Sequence, residues 1–540
     1  MRYIFCLLWS VHVQTPSNGF KVLRQLILDR LAINEATLGP DHPSTGETLN
    51  SLAALHQANG DHAEALPLYQ RSLAIHEAKL GLDHPGTGLV LNSLAGLHHA
   101  MGNHAEALPL YKRSLAIDEA KLGPDHLSTG TTLHNLARLH QAMGNYAEAL
   151  LLYKRSLSIN EAKLGPDHPS TGATLHSLAM LHQAMGNHAE ALLLYERSLL
   201  INEAKLGSDH PSTGATLHSL AELHQTMGNH AEALPLYERS LAIDEAAFGP
   251  DHPKTGSTLN SFAGLLQVMG KHADALPLYK RSLSILEAKL GPDHPNTSAT
   301  LHSVAGLLQE MGKHAEALPL YERSLAIVEA KLGLDHPNTG TILHSLAELH
   351  KAMGNHAKAF LMCERSLVIV EAKLGPDHPR TGATLHSLAR LHQAMGNHAK
   401  ALLLYERSLA IYEEKLGPDH PGTGATLNNL ASLHHSMGEH AKALPLFKRS
   451  LAIIEAKLGR DHPNTANSLN QLAVVYEAMG KHAKALPLYE RSLSIFEAKL
   501  GPDHLNTGLI LYNLACLYQA MGKHAKAKTL YERSLAIVKH

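Results

Sequence analysis

Residues 81–122 read GLDHPGTGLVLNSLAGLHHAMGNHAEALPLYKRSLAIDEAKL, and two apolar stripes of helical period run through them. Leu91, Leu94, Ala95 and His98 follow the i, i+3, i+4, i+7 spacing that sets four side chains on one face of a helix, termed helix A. Ala107, Tyr111, Ser114 and Leu115 mark a second helix, B, over about residues 104–121. Asn103 and Glu106 have the spacing of a capping box at its start. Gly102, after helix A, and Gly81, after the preceding helix B, read as left-handed residues that end their helices. Turns this short force successive helices to run antiparallel and to bury their stripes on each other and on the next pair.

The G-x-D-H signal that opens this stretch returns at Gly39, Gly81, Gly123, Gly165, Gly207, Gly249, Gly291, Gly333, Gly375, Gly417, Gly459 and Gly501, always 42 residues on. By length alone, 540 residues would make three or four globular domains. A fixed period instead predicts one all-α array, an α-solenoid of twelve tandem repeats over residues 39–540, in which no unit folds usefully alone. Residues 20–38 match the end of a helix B and are expected to form a degenerate half repeat, whereas residues 1–19 match nothing. The chain stops at His540 within the last helix B with no further polar helix, so the ends are expected to pair with another chain or to belong to a longer one.

Two features oppose helix formation. Pro stands inside helix B at 67, 109, 235, 277, 319, 445 and 487, where it removes a hydrogen bond. The slot lies away from core position Ala65 and also accepts Leu151, Leu193 and Leu403, so a bend and not a break is expected. Gly46 and its nine equivalents weaken the first turn of helix A.

The unit L-x-S-L-A-x-L-H-x-A-M-G-N-H-A-E-A-L-P-L-Y-E-R-S-L resembles a tetratricopeptide repeat, and its period with the G-P-D-H-P junction is similar to the repeats of kinesin light chains and nephrocystin-type proteins. That resemblance implies a right-handed superhelix whose A helices line a concave groove for peptides or protein domains. It has departures. The residues before Gly39 are too few for the heptad coiled coil that joins a kinesin light chain to its motor. The family's aromatic on helix A is His at 56, 98, 140, 182, 224, 350, 392 and 434, with Tyr476 and Tyr518 restoring it. No carboxylate clamp of Asn, Lys and Arg is carried over.

Lys and Arg total 47 against 49 Asp and Glu, so no global attraction draws the chain to nucleic acid or membrane, and neither partner is expected. Cys6, Cys363 and Cys516 form no paired spacing, which favours a reducing, cytoplasmic setting. The apolar run over residues 3–9 is too short to span a membrane. Of the 42 histidines nearly all are generated by the repeat. His134 and His140 lie six apart on different helix faces, so no metal site and no cofactor is expected. Acidification is expected to charge many imidazoles near their ordinary pKa of about 6.5. No nucleotide-loop, zinc-protease or nucleophile-elbow motif occurs, and the chain reads as non-enzymatic.

Specificity should lie where the copies diverge. One helix A column reads Ala54, Gly96, Arg138, Met180, Glu222, Gly264, Gly306, Glu348, Arg390, Ser432, Val474, Cys516. If the fold implied by the resemblance holds, it faces the groove. Beside it run Asn50, Asn92, His134, His176, His218, His344 and His386, with Gln57 one turn on, a polar lining able to bond an extended backbone. The third residue of helix B is acidic from Glu64 through Glu316, then Lys358, Lys400, Lys442, Lys484 and Lys526. Lysine there would abolish the capping box and oppose the helix dipole, and it leaves residues 39–332 net negative and residues 333–540 net positive. Head-to-tail self-association or an acidic partner for the C-terminal half is therefore expected. The reading is a protein-interaction scaffold for proteins or extended peptides. A cargo adaptor for a microtubule motor and a sensor module detached from a nucleotide-binding signalling protein are the alternatives.

Overall fold

The computed structural model describes residues 16–539. Cys6, the apolar run and most of the unassigned segment lie outside the described residues, and residues 16–19 begin the helix Pro16–Thr37. Among the described residues there are 25 helices and no strand, and no helix is long and apolar enough to cross a membrane. The chain divides into two compact units, Met1–Lys289 and Leu290–His540. Within each, A helices pack on their own B helix, as Pro85–Ala100 does on His104–Lys121, B helices pack on the next A helix, and successive A helices touch.

The core is correspondingly serial. Ala95 of one A helix, Ala107 and Tyr111 of its B helix, and Leu136 and Leu139 of the next A helix form one buried cluster, and the pattern repeats one copy on with Ala137, Ala149, Tyr153, Leu178 and Leu181. Burying one such leucine contributes about 1.5–3 kcal/mol, and every cluster needs side chains from two copies.

Helix A begins by a device the residue pattern did not announce. All twelve junction histidines are N-caps, the Nδ1 of each accepting the amide two residues on, as His84 does from Gly86 at 3.0 Å. In most copies Pro follows at the first helical position, where its missing N–H costs nothing. Thr87 closes the junction by donating from Oγ1 to the Gly81 carbonyl at 2.8 Å.

The capping box on helix B does not form. Asn103 makes no side-chain cap bond. Its amide, which Glu106 would have accepted, is already donated at 2.9 Å to the His98 carbonyl in the last turn of helix A, while Gly102 donates to His99 at 3.0 Å. That pair is a Schellman motif, and it uses the donor the box needs. Lysines at 358, 400, 442, 484 and 526 therefore abolish no box.

The two glycine columns also differ. Gly60 has φ +87° and ψ 1°, the left-handed conformation expected. Gly165, ending a B helix, has φ +97° and ψ 160°, outside the left-handed helical region and open essentially to glycine alone.

The B helices stay helical through proline: His104–Lys121 contains Pro109 without interruption, with the ring exposed. The glycine in the first turn of helix A does more than weaken it. A Cβ on Gly88 would stand 3.2 Å from Ile117 Cγ2, and Ser114 Oγ donates to the Gly88 carbonyl at 2.8 Å, so its absence lets the A and B backbones close.

Consecutive B helices are joined by Arg–Glu pairs of constant separation. Arg113 reaches Glu77 at 2.6 Å and Arg197 reaches Glu161 at 2.7 Å in the first unit, and Arg407 reaches Glu371 at 2.7 Å in the second. Each arginine lies 36 residues after its partner.

Candidate functional site

The columns expected to line the groove sit on the A layer, and they part into two groups. Asn92 and most of the histidines that follow connect the layer to itself, whereas the Asn50 Oδ1 is buried without a hydrogen bond. Asn92 Nδ2 donates to Thr132 Oγ1 at 3.1 Å in the next A helix, and Asn92 Oδ1 accepts from Asn135 Nδ2 at 3.0 Å. His176 meets Thr216 Oγ1 at 3.3 Å, and His386 contacts Thr426 Oγ1 at 3.0 Å and Asn429 Nδ2 at 2.9 Å. The rings of His134, His176 and His218 also stand edge-on to Tyr153, Tyr195 and Tyr237, with centroids 5.3–5.4 Å apart.

Burial pushes His134, His176, His302 and His386 down to about 4, with the Arg138 and Arg390 charges adding to the shift at His134 and His386, and burial lowers His344 too. His134, His176, His302 and His386 do not supply the charge on mild acidification that the bare residue type predicted.

Gln57 is likewise engaged. Its Oε1 accepts the Tyr69 hydroxyl at 2.9 Å, bridging helix A to helix B of one hairpin, and Gln141 and Gln183 repeat the bond with Tyr153 and Tyr195.

The variable column behaves differently. Arg138 is exposed, Met180 is 45% exposed, and Ala54, Gly96 and Glu222 are half-buried. A Cβ on Gly96 would lie 3.4 Å from the Tyr111 hydroxyl, an ordinary contact distance. Glu222 is reached by His218 Nε2 at 3.2 Å.

In the second unit Glu348 and Arg390 come together, with Arg390 Nη1 3.7 Å from Glu348 Oε2. Lys351, at the Gln57 position and overlooked from the sequence, hydrogen-bonds Glu348. Burial alone would raise the Glu348 carboxyl, but Lys351 and Arg390 hold it below the usual carboxylate range. Lys351 is accompanied by Cys363 where all other copies but one have Tyr, and burial raises that thiol to about 12. Both signs of charge are thus paired across neighbouring A helices here, whereas Arg138 and Glu222 stand on the A layer of the first unit.

Between the A helices of copies three and four an open cleft of about 860 Å³ is lined by Gly130, Thr131, His134, Asn160 and Thr174 among others. Among the described residues no three His, Cys, Asp or Glu side chains gather to hold a metal ion.

Stacked A–B hairpins sharing their core clusters from copy to copy define the chain as a helical-hairpin solenoid. It belongs to the tetratricopeptide repeat family, whose profile matches in overlapping spans from 29–78, 45–120 and 87–162 through to 464–540. Among solved structures it is similar to the nearly identical TPR-like repeats of a kinesin light chain candidate from Podosopora anserina, at 32% identity over 37% of this chain and 96% of that one, with a TM-score of 0.34. BtubC (BKLC) from P. vanneervenii matches at 20% identity over 43% of this chain and 90% of that one, TM-score 0.36. A chain of the APC/C hetero-tetramer Cut9-Hcn1 matches at 14% identity over 98% of this chain and 92% of that one, TM-score 0.51, and shares the fold. No curated protein sequence matches.

Proposed function

We propose that the chain is a non-catalytic scaffold whose A layer binds an extended polypeptide segment. The observation that carries this reading is the contrast between columns. Packing positions such as Ala95, Ala137 and Ala179 stay the same and fully buried, while the neighbouring column changes from exposed Arg138 and Met180 to half-buried Glu222. Changes of charge, size and polarity at one accessible position, on an otherwise uniform surface, are what successive subsites for different side chains require. Near-equal units can then add weak contacts along one ligand. A cytoplasmic setting belongs to the reading, supported by three cysteines without paired spacing.

The test is selection of extended peptides from a displayed library on the full chain, repeated with Arg138, Met180, Glu222, Glu348 and Arg390 replaced by alanine. Loss of the selected peptides by a variant that still melts cooperatively supports the reading. Undiminished capture removes it.

A further inference from the structure

The third residue of each B helix forms a row within each unit, at the edge where helix A turns into helix B. In the first unit it is Glu64, Glu106, Glu148, Glu190, Glu232 and Asp274, and in the second, after Glu316, it is Lys358, Lys400, Lys442, Lys484 and Lys526. All are exposed. Carboxylates suit the positive end of a helix dipole, and ammonium groups oppose it. Lysine here is locally unfavourable, and little in the chain compensates it. Lys442 meets Glu439 at 3.0 Å. Lys358, Lys400, Lys484 and Lys526 have no salt bridge among the described residues, although Lys484 and Lys526 stand 5.9 and 5.6 Å from the ring centres of Tyr476 and Tyr518.

One 42-residue hairpin generates both rows, so the acidic row and the lysine row rise by the same step per copy. We propose that the lysine edge of one chain's second unit docks on the acidic edge of the first unit in a second copy, rung against rung. A flexible acidic peptide, at about 3.3 Å per residue, would match packed-helix spacings of about 8–10 Å only at every third side chain and would have to be ordered. A rigid row built on the same repeat matches at every rung.

Contrary charges stand beside the rows without replacing them: Lys313 lies 3.7 Å from Glu316, and Lys112, Lys154 and Glu364, six residues further along their helices and about 240° round, oppose the row residues Glu148, Glu190 and Lys400 at His140, His182 and His392. Exposed pairs are individually weak and screened by salt, so the contact is salt-sensitive and depends on their number.

Sedimentation of the full chain should show concentration-dependent association at about 20 mM salt that disappears at about 500 mM. A variant carrying K358E, K400E, K442E, K484E and K526E, and another carrying E106K, E148K, E190K and E232K, should each associate more weakly by roughly tenfold or more. Mixed in equal amounts at low salt, the two should associate again, because each then meets the opposite sign, and circular dichroism of each variant checks the fold. A wild-type chain monomeric at low salt, reversed variants that associate as before, or a mixture that stays apart would overturn the proposal. A monomeric chain that retains a polyglutamate peptide would overturn it in favour of an acidic segment from another protein.

Discussion

The hydroxyl of Tyr195 in helix B donates to Gln183 Oε1 in helix A of the same hairpin at 3.0 Å. The two residues change together in two copies, although His99 stands opposite an unchanged Tyr111. Where Tyr becomes Phe447, Gln becomes His435, and where Tyr becomes Cys363, Gln becomes Lys351. Glu477 takes the acceptor's place opposite Tyr489, at 2.8 Å. Tyr195→Phe should lower stability by about 1 kcal/mol, the usual net value of such a bond, and Tyr195→Phe with Gln183→His should lower it by less than the two changes summed. Denaturant midpoints of the four chains check this, and strict additivity would deny the coupling.

The charged group in the second unit predicts an asymmetry. Arg390 is 45% exposed on its side chain, and Arg390→Ala should change stability by no more than about 0.5 kcal/mol. Glu348→Ala leaves Lys351, 17% exposed, without its partner, and should cost about 1–3 kcal/mol. Equal thermal shifts for the two variants would show that Lys351 does not depend on Glu348.

Acid should destabilise the fold. His134, His176, His302 and His386 titrate at about 4 when folded, because burial disfavours the charged ring, and near 6.5 when unfolded. Their contribution is complete above the unfolded value and is lost as pH falls through the window down to the folded one. The junction residues His210, His378 and His420 add to this, since burial lowers each and each caps through its Nδ1. Melting midpoints should fall by several degrees between about pH 7.5 and pH 5, and His176→Asn, the residue this column has at Asn92, should flatten the slope. A midpoint independent of pH would contradict the buried state of these rings.

Gly172 closes the approach of helices A and B: a Cβ there would lie 3.1 Å from Ile201 Cγ2. Gly172→Val should destabilise by about 1–3 kcal/mol through overpacking, in spite of valine's better helix propensity than glycine. An unchanged urea midpoint would show that the backbones can separate freely.

Helices, their ends and their pairing were legible because each rests on neighbours within one copy: the stripe from Leu91 to His98, the stop at Gly102, the exposed slot of Pro109. What was not legible depends on contacts between elements. The Asn103–Glu106 spacing was read as a box because nothing local reveals that the Asn103 amide already serves His98. Gln57 was read as a free groove donor because its partner, Tyr69, is on the other helix. The Arg113–Glu77 pair has a separation set by how B helices stack, and it follows from no helical period. Histidine as an N-cap was missed because Asn, Asp, Ser and Thr are the usual choices. The variable column was identified by comparing copies, and its members Arg138, Met180 and Arg390 are exposed in the structure.

Because the Arg–Glu pairs that join consecutive B helices within each unit span the same interval, the array tolerates a change in its own length. Excision of residues 165–206 would remove Glu203, the 2.6 Å partner of Arg239, and bring Arg239 to Glu161, the carboxylate that Arg197 had held. Asn160 would likewise exchange Thr174 for Thr216. Unequal recombination between such similar gene segments can therefore shorten or extend the protein by whole units without leaving an orphaned charge at the seam.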